Sequence, residues 1–311
     1  VWRTRAGLPL KLFLDALGIG RERYRDWRRR YGKVNEHNRL IPRDHEILAA
    51  EREKIISFYE ANSLEGYRRL TYMMIDADVV YVSPSTTYRV LLAAGLMRAK
   101  DTRPSKKGTG FKQPGSAHRH WHIDITYIKI KGVFHYLILV LDGYSRYIVG
   151  WGLREQMSER DVEIVVQQAR EAFPQANPRL ISDNGSQFIA KEFKHFIGIV
   201  GMTHTTTSPY YPQSNGKLER CNKTIKEYLR MQYLADPEDG RRLSGEVIRY
   251  YNVERLHSAI GYVAPADKLA GREQGIFAQR EHKLQTARQA RAARRAVQAP
   301  EKTAASNRTS V

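Results

Sequence analysis

From Trp121 onward the hydrophobic period of the chain changes, and that change constrains the fold more than any other feature. HIDITYIKIK alternates, VFHYLILVLD is nearly all apolar, and RYIVGWGL continues the strand pattern after the turn GYS. Three strands in succession, joined by tight turns, read as an antiparallel meander. SERDVEIVVQQAREAF then predicts a helix over about 158–173, before a short strand RLISD, a helix KEFKHFIGIVG and a second short strand MTHTTT. A long helix is expected over about 214–235 and another helix with a turn-rich stretch over about 241–270. Strands followed by alternating helices and strands indicate an α/β sheet of mixed direction.

The residues before this sheet read as all-α. LPLKLFLDALGI carries an apolar face through Leu10, Phe13, Leu14 and Leu17, is broken by Gly18 and Gly20, and leads into RERYRDWRRRYG, with six Arg in residues 21–30. A short helix, a glycine turn and a basic second helix describe a helix-turn-helix, with Arg25, Arg28 and Arg29 as DNA contacts. The bland alternative is a solvated Arg-rich helix whose Tyr24 and Trp27 pack on the first. DHEILAAEREKIISFYEAN, GYRRLTYMMIDAD and SPSTTYRVLLAAGL form a second helical unit. Ser83-Pro84-Ser85 has the chemistry of a helix start and Gly95 suits its end. Thr86, Thr87 and Arg89 are expected to face DNA while Val90, Leu91 and Leu92 pack. A structural helical hairpin is the equal alternative.

The 311 residues carry 52 Lys+Arg against 33 Asp+Glu, a net +19, and a pI near 10. That balance calls for a polyanionic partner, nucleic acid by default. An apolar fraction of 41% supports a packed core. No run of eighteen apolar residues is present, so no membrane span is expected. The single cysteine, Cys221, allows neither a disulfide framework nor a cysteine-based zinc site within one chain.

Three acids stand in distinctive surroundings: Asp124 in WHIDITY, Asp183 in ISDNGSQF and Glu219 in SPYYPQSNGKLER. Asp124 interrupts a strand whose inner face otherwise takes Ile and Trp, where an unpaired carboxylate costs several kcal/mol unless a partner or cation offsets it. Asp183 closes a short strand, the usual position for sites in open α/β sheets. Glu219 opens a helix after a loop whose Pro209, Pro212 and Gly216 suit a mobile gate. Carboxylates converging on hard cations are what metal-dependent phosphoryl transfer requires. Helical spacing puts Asn222, Lys223 and Lys226 beside Glu219. Asp142, in LDGYSR, reads as a structural turn residue, and His257 as a packing or hydrogen-bonding one.

WHIDITYI, LDGYSRYIVGW, SDNGSQF and SPYYPQSNGKLER resemble, in order, the core motifs of the retroviral integrase and DDE transposase superfamily. YNVERLHSAIGYVAPAD resembles the segment after the core in bacterial insertion-sequence transposases. GYRRLTYMM and VSPSTTYRVLLAAGL are similar to the helix-turn-helix region of the second-frame (OrfB) product in the large insertion-sequence family numbered three.

The resemblance implies an RNase H-like mixed-sheet core preceded by all-α helix-turn-helix units. With the composition and patterning of the flanking segments, the chain divides into DNA-binding units at 1–40 and 41–97, a basic linker at 98–117, the core at 118–240, a helical extension at 241–278 and a basic, partly disordered tail at 279–311. The resemblance implies a transposase that cleaves and transfers DNA strands, with Asp124, Asp183 and Glu219 carrying two Mg²⁺ (or Mn²⁺) ions. Lys223, Lys226, Asn222, Gln213 and Asn215 then contact the DNA end. Retroviral integrases carry a His/Cys zinc module before the core. This chain has no cysteine there, so zinc is not expected. The implied partners are double-stranded transposon-end and target DNA and further copies of the chain, an upstream-frame (OrfA-type) partner or fusion being left open. The implied location is the bacterial cytoplasm, at the nucleoid. A DNA-binding regulator without catalysis, or a general RNase H-type nuclease, is the competing reading.

Overall fold

The computed structural model describes residues 7, 9–31, 47–97, 113–206 and 216–306, with Arg30 and residues 296–306 described in backbone alone. The chain divides into two units. The first comprises residues 1–48 and 288–311, the second residues 49–287.

In the first unit, α1 (Leu10–Ala16) and α2 (Arg21–Arg30) form where the sequence places them, separated by Gly18 at φ +64°. Leu14 is its buried residue on α1, whereas Leu17 and Trp27 are exposed.

The second unit begins with three helices: α3 (Ala49–Ala61), α4 (Tyr67–Asp76) and α5 (Pro84–Ala93). The start of α5 follows its sequence signal. Ser83 accepts the Thr86 N–H, Pro84 occupies the first turn, and Gly95 takes φ +72° after the last turn. Its faces differ from expectation. Thr87 is fully buried and bonded to Thr71 Oγ1 at 2.8 Å, and Thr86 is buried against Ser83. Both hydroxyls therefore serve packing and cannot face DNA, while Leu92, expected inside, is exposed and Arg89 points outward.

β1 (His120–Ile130), β2 (Val133–Asp142) and β3 (Ile148–Arg154) form the antiparallel meander. Lys131 and Gly132 join the first two strands with both φ values positive, the backbone of a two-residue hairpin turn. α6 (Glu159–Ala172) starts on a capping box between Ser158 and Asp161. β4 (Arg179–Ser182), α7 (Ser186–Ile189), α8 (Lys191–Ile199) and β5 (Thr203–Thr206) follow. The sheet order is β3-β2-β1-β4-β5, with β4 parallel to β1 and β5 parallel to β4. This mixed five-stranded sheet with helices on both faces is the RNase H-like arrangement.

Both faces are buried. One carries Trp121, Ile123, Ile138 and Val140 under Val162, Val165 and Ala169 of α6 and Phe193 of α8. A Cβ on Gly150 would lie 2.8 Å from that of Ala169, so glycine permits this close approach. The other face carries Ile128, Ile130, Leu139 and Leu141 under two further helices. These are α9 (Gly216–Leu229), through Leu218 and Ile225, and α10 (Pro237–Val253), through Ile248 and Tyr251. α9 ends earlier than expected, and α10 starts earlier because Asp236 caps it ahead of Pro237.

α11 (Pro265–Leu269) and α12 (Glu273–Ser306) complete the chain, and position 279, the expected start of the tail, lies inside α12. Arg280 of α12 grips both carboxylate oxygens of Asp76 at the end of α4, donates to Tyr262 O, and lies over the Tyr72 ring. Glu65, between α3 and α4, pairs with Arg69 and accepts the Tyr228 hydroxyl of α9 at 3.0 Å. No helix among the described residues is long and apolar enough to cross a membrane.

Candidate active site

Asp124 sits in the middle of β1, opposite Leu139 of β2. Strand alternation puts it on the α9 side with His122, Thr126 and Ile128, and not on the face of Trp121 and Ile123. The sequence expectation of an Ile- and Trp-lined face is thereby corrected. Against α9 the carboxylate is partly buried, and its Oδ2 accepts a 2.7 Å bond from the Asn222 amide. Burial raises its pKa to about 6. Asp183 and Glu219 push in the same direction, while the Ile125 backbone N–H and the Asn222 amide oppose the rise.

Glu219 lies exposed in the first turn of α9, where helical geometry sets Asn222, Lys223 and Lys226 on its side. A cleft of about 360 Å³ is lined by Asp124, Thr126, Glu219, Asn222, Lys223 and Lys226, with Glu227 and Arg230 at its end. Asn222, buried in the floor of this cleft, donates its amide to Asp124. Lys223 is exposed, with Glu227 at 4.0 Å. Lys226 is half-buried, and burial together with Arg230 lowers its pKa against the pull of Asp124.

Asp183 follows β4 directly, exposed, with Oδ1 accepting the Gly185 N–H at 3.0 Å in a tight turn. It does not line the cleft, although its charge acts on Asp124. Among the described residues, no three His, Cys, Asp or Glu side chains gather closely enough to hold a metal ion. Gln213 and Asn215 lie outside the described residues. Arg25, Arg28 and Arg29 are exposed on α2, with Arg25 paired to Glu22 and Arg29 to Asp26.

Asp142 is fully buried. Its oxygens accept the His118 N–H at 2.8 Å, the Ser145 N–H at 2.7 Å and the Ser145 hydroxyl at 2.6 Å, which makes it the pin of the β2–β3 turn. His257 is buried, accepts the Ala259 N–H, and has its pKa pushed down to about 3 by burial and by neighbouring arginines. The sequence reading passed over Lys217. It donates to Gly143 O at 3.1 Å, and burial and Arg146 depress its pKa to about 7. Its two-residue distance from Glu219 was the available signal.

The sheet order and the acid-bearing strand define a chain of the RNase H-like class. The integrase core domain family matches residues 115–212, and a second integrase core domain family matches residues 200–265. The transposase for insertion sequence element IS904 of Lactococcus lactis is 26% identical over 243 residues, covering 72% of this chain and 94% of the relative. A protein of insertion element IS136 from Agrobacterium fabrum is 32% identical over 138 residues, covering 42% of this chain and 70% of the relative. The chain spans 12% of the Gag-Pol polyprotein of baboon endogenous virus, at 26% identity. Among solved structures, the HTLV-2 integrase catalytic core domain in complex with magnesium aligns with TM-score 0.41 and 18% identity, over 50% of this chain and 97% of that one. The chain belongs to the integrase-core family, within the DDE transposase and integrase superfamily. Its class of activity is DNA transposition or integration, as a member of the polynucleotidyl transferases.

Proposed function

We propose that this chain is a bacterial insertion-sequence transposase that cleaves and joins DNA strands at Asp124, Asp183 and Glu219. The observation that carries the reading is Asp124 itself. This carboxylate is pressed against α9, carries one side-chain bond from Asn222, and faces a cleft that also holds Glu219, Lys223 and Lys226. A group so placed is destabilised as an anion until a cation joins it.

The donor chemistry suits Mg²⁺ or Mn²⁺, because three carboxylates offer hard oxygen ligands and the single cysteine, Cys221, is buried in the apolar cluster under α9. Asp124, Asp183 and Glu219 are the residues that would hold two such ions. When bound, these supply a lowered pKa for the attacking oxygen and charge stabilisation for the departing 3′-oxygen. The reaction is attack of water, and then of the released DNA 3′-OH, on a phosphodiester.

This chain's own side chains do the rest. Asn222 fixes the rotation of Asp124, and Glu219 presents its carboxylate to the same cleft. Lys223, Lys226 and Arg230 hold phosphates by charge-assisted bonds. Gln213 and Asn215 belong to the same DNA-end surface. Arg25, Arg28, Arg29 and Arg89 bind the backbone further away, with residues 1–40 and 41–97 as DNA-binding units. The chain acts as an oligomer that pairs two transposon ends in the bacterial cytoplasm at the nucleoid, with or without an upstream-frame partner.

The test is strand transfer with Mg²⁺ on oligonucleotides bearing the element's ends. Wild type is expected to join strands and Asp183→Asn to lose joining while still binding DNA. Equal products from the two proteins would sink the proposal and leave a DNA-binding regulator.

A further inference from the structure

Beyond the acid cleft, a second and larger groove of about 730 Å³ runs past the C-terminal end of α9 to the tip of the β1–β2 hairpin. Tyr127, Lys129, Lys131, Phe134, Arg230 and Tyr233 line it, and no carboxylate does so among the described residues. Its aromatic rings are open: Tyr127 is 55% exposed, Phe134 60% and Tyr233 83%. Rings of this size normally bury their faces in a monomeric fold. These three instead stand among four cations, because Lys226 joins Lys129, Lys131 and Arg230.

Strand geometry explains the surface. β1 pairs with β4 only from His120 to His122, so its outer edge from Ile123 to Ile130 lacks a strand partner among the described residues. Along that stretch Ile128 and Ile130 turn inward and Tyr127 and Lys129 outward. Opposite them on β2 stand Tyr136 and Phe134. Tyr127 lies edge-on to Phe134, with centroids 6.2 Å apart, and Lys129 Nζ lies 5.8 Å from the Phe134 centroid.

Lys226 and Arg230 line both this groove and the acid cleft, so the two adjoin. We propose that the groove takes unpaired nucleotides of the DNA strand that leaves the acid cleft. Their bases stack on Tyr127 and Phe134, and their phosphates pair with Lys129, Lys131 and Arg230. Open aromatic faces set among cations, without an acid, are the chemistry that binds single strands independently of sequence. The groove's volume is in the range of sites for single small molecules, which suits one or two nucleotides and not a duplex. The inference rests on the acid cleft being where DNA is cut.

The test measures binding by the full chain in EDTA, so that affinity is read without chemistry. The probes are a blunt duplex and the same duplex with a short oligothymidine extension carrying one 2-aminopurine. Wild type is expected to prefer the extended duplex by about tenfold and to quench the 2-aminopurine, as stacking of one base predicts. Tyr127→Ala/Phe134→Ala should lose the preference and the quenching, with blunt-duplex affinity changed less than about twofold. Tyr127→Phe should retain both. Lys129→Ala/Lys131→Ala should lower the salt slope for the extended duplex by about 1.4, roughly 0.7 for each single-strand phosphate contact.

Equal wild-type affinity for the two probes overturns the proposal, as does a preference that survives the double variant. So does a double variant that changes only self-association in sedimentation, which would make the groove an interface between copies. A chain that transfers strands but binds both probes alike loses the groove alone. One that stacks the extension but never transfers strands loses the acid reading alone.

Discussion

Asp124 and Asp142 sit on adjacent strands of one sheet, and the fold treats them in opposite ways. Asp142 is wholly buried but meets three donors from its own turn and from His118. Asp124 is less buried, receives one side-chain bond, and lies in the field of two further acids. The first carboxylate is finished by the protein. The second is left wanting a positive partner, and an arrangement that costs stability without repaying it in packing marks a site of work.

The comparison can be broken most forcefully by Asp124→Asn. Strand transfer is expected to fall about a thousandfold or more, the several kcal/mol that a bound cation contributes to a transition state. The melting temperature should hold or rise, because a destabilised buried charge has been removed. Asp142→Ala should invert the pattern. Calorimetry or urea unfolding is expected to show a loss of about 3 kcal/mol, since buried donors lose their charged acceptor. Matching losses of stability in the two variants would dissolve the distinction.

Next in size, saturating Mg²⁺ should stabilise wild type by about 1–3 kcal/mol in thermal melts and leave Asp124→Asn unmoved. An equal shift in both proteins would place the ion elsewhere.

The smallest effect extends the structural side of the contrast to His257. Its folded pKa, about 3, lies below the unfolded value of 6.5. The unfolded chain therefore takes up the proton first, and stability is lost as pH falls from 6.5 toward 3. At pH 5 the loss should be about 2 kcal/mol. His257→Asn should flatten that limb of the stability curve; an unchanged limb would assign it to other groups.

Much of this was legible because it is local. The meander, the helix after Ser158 and the Ser83-Pro84 start follow from periods and caps that lie within a few residues. The roles of Asp142 and His257 were legible for the same reason, since their partners Ser145 and Ala259 are sequence neighbours. The misplaced residues depend on distant ones. Thr87 turned inward because of Thr71, sixteen positions away. Asn222 bonds Asp124, ninety-eight positions away, a contact that no local pattern announces. Asp124 was given the wrong neighbours because both sheet faces are buried, and a strand apolar on both sides does not reveal which face an acid occupies. The three acids were picked out by the sequence words around them, whereas their placement follows from how β4 and α9 approach β1.

The ion pair of Arg280 with Asp76 joins residues 204 positions apart. A ribosome that has completed every strand of the sheet has not yet made this arginine. The α4 end of the unit therefore waits for this tie, and for that of Lys283 to Ile75 O, until the whole sheet has been made. A product ending before α12 would carry the acids and the sheet without that fastening.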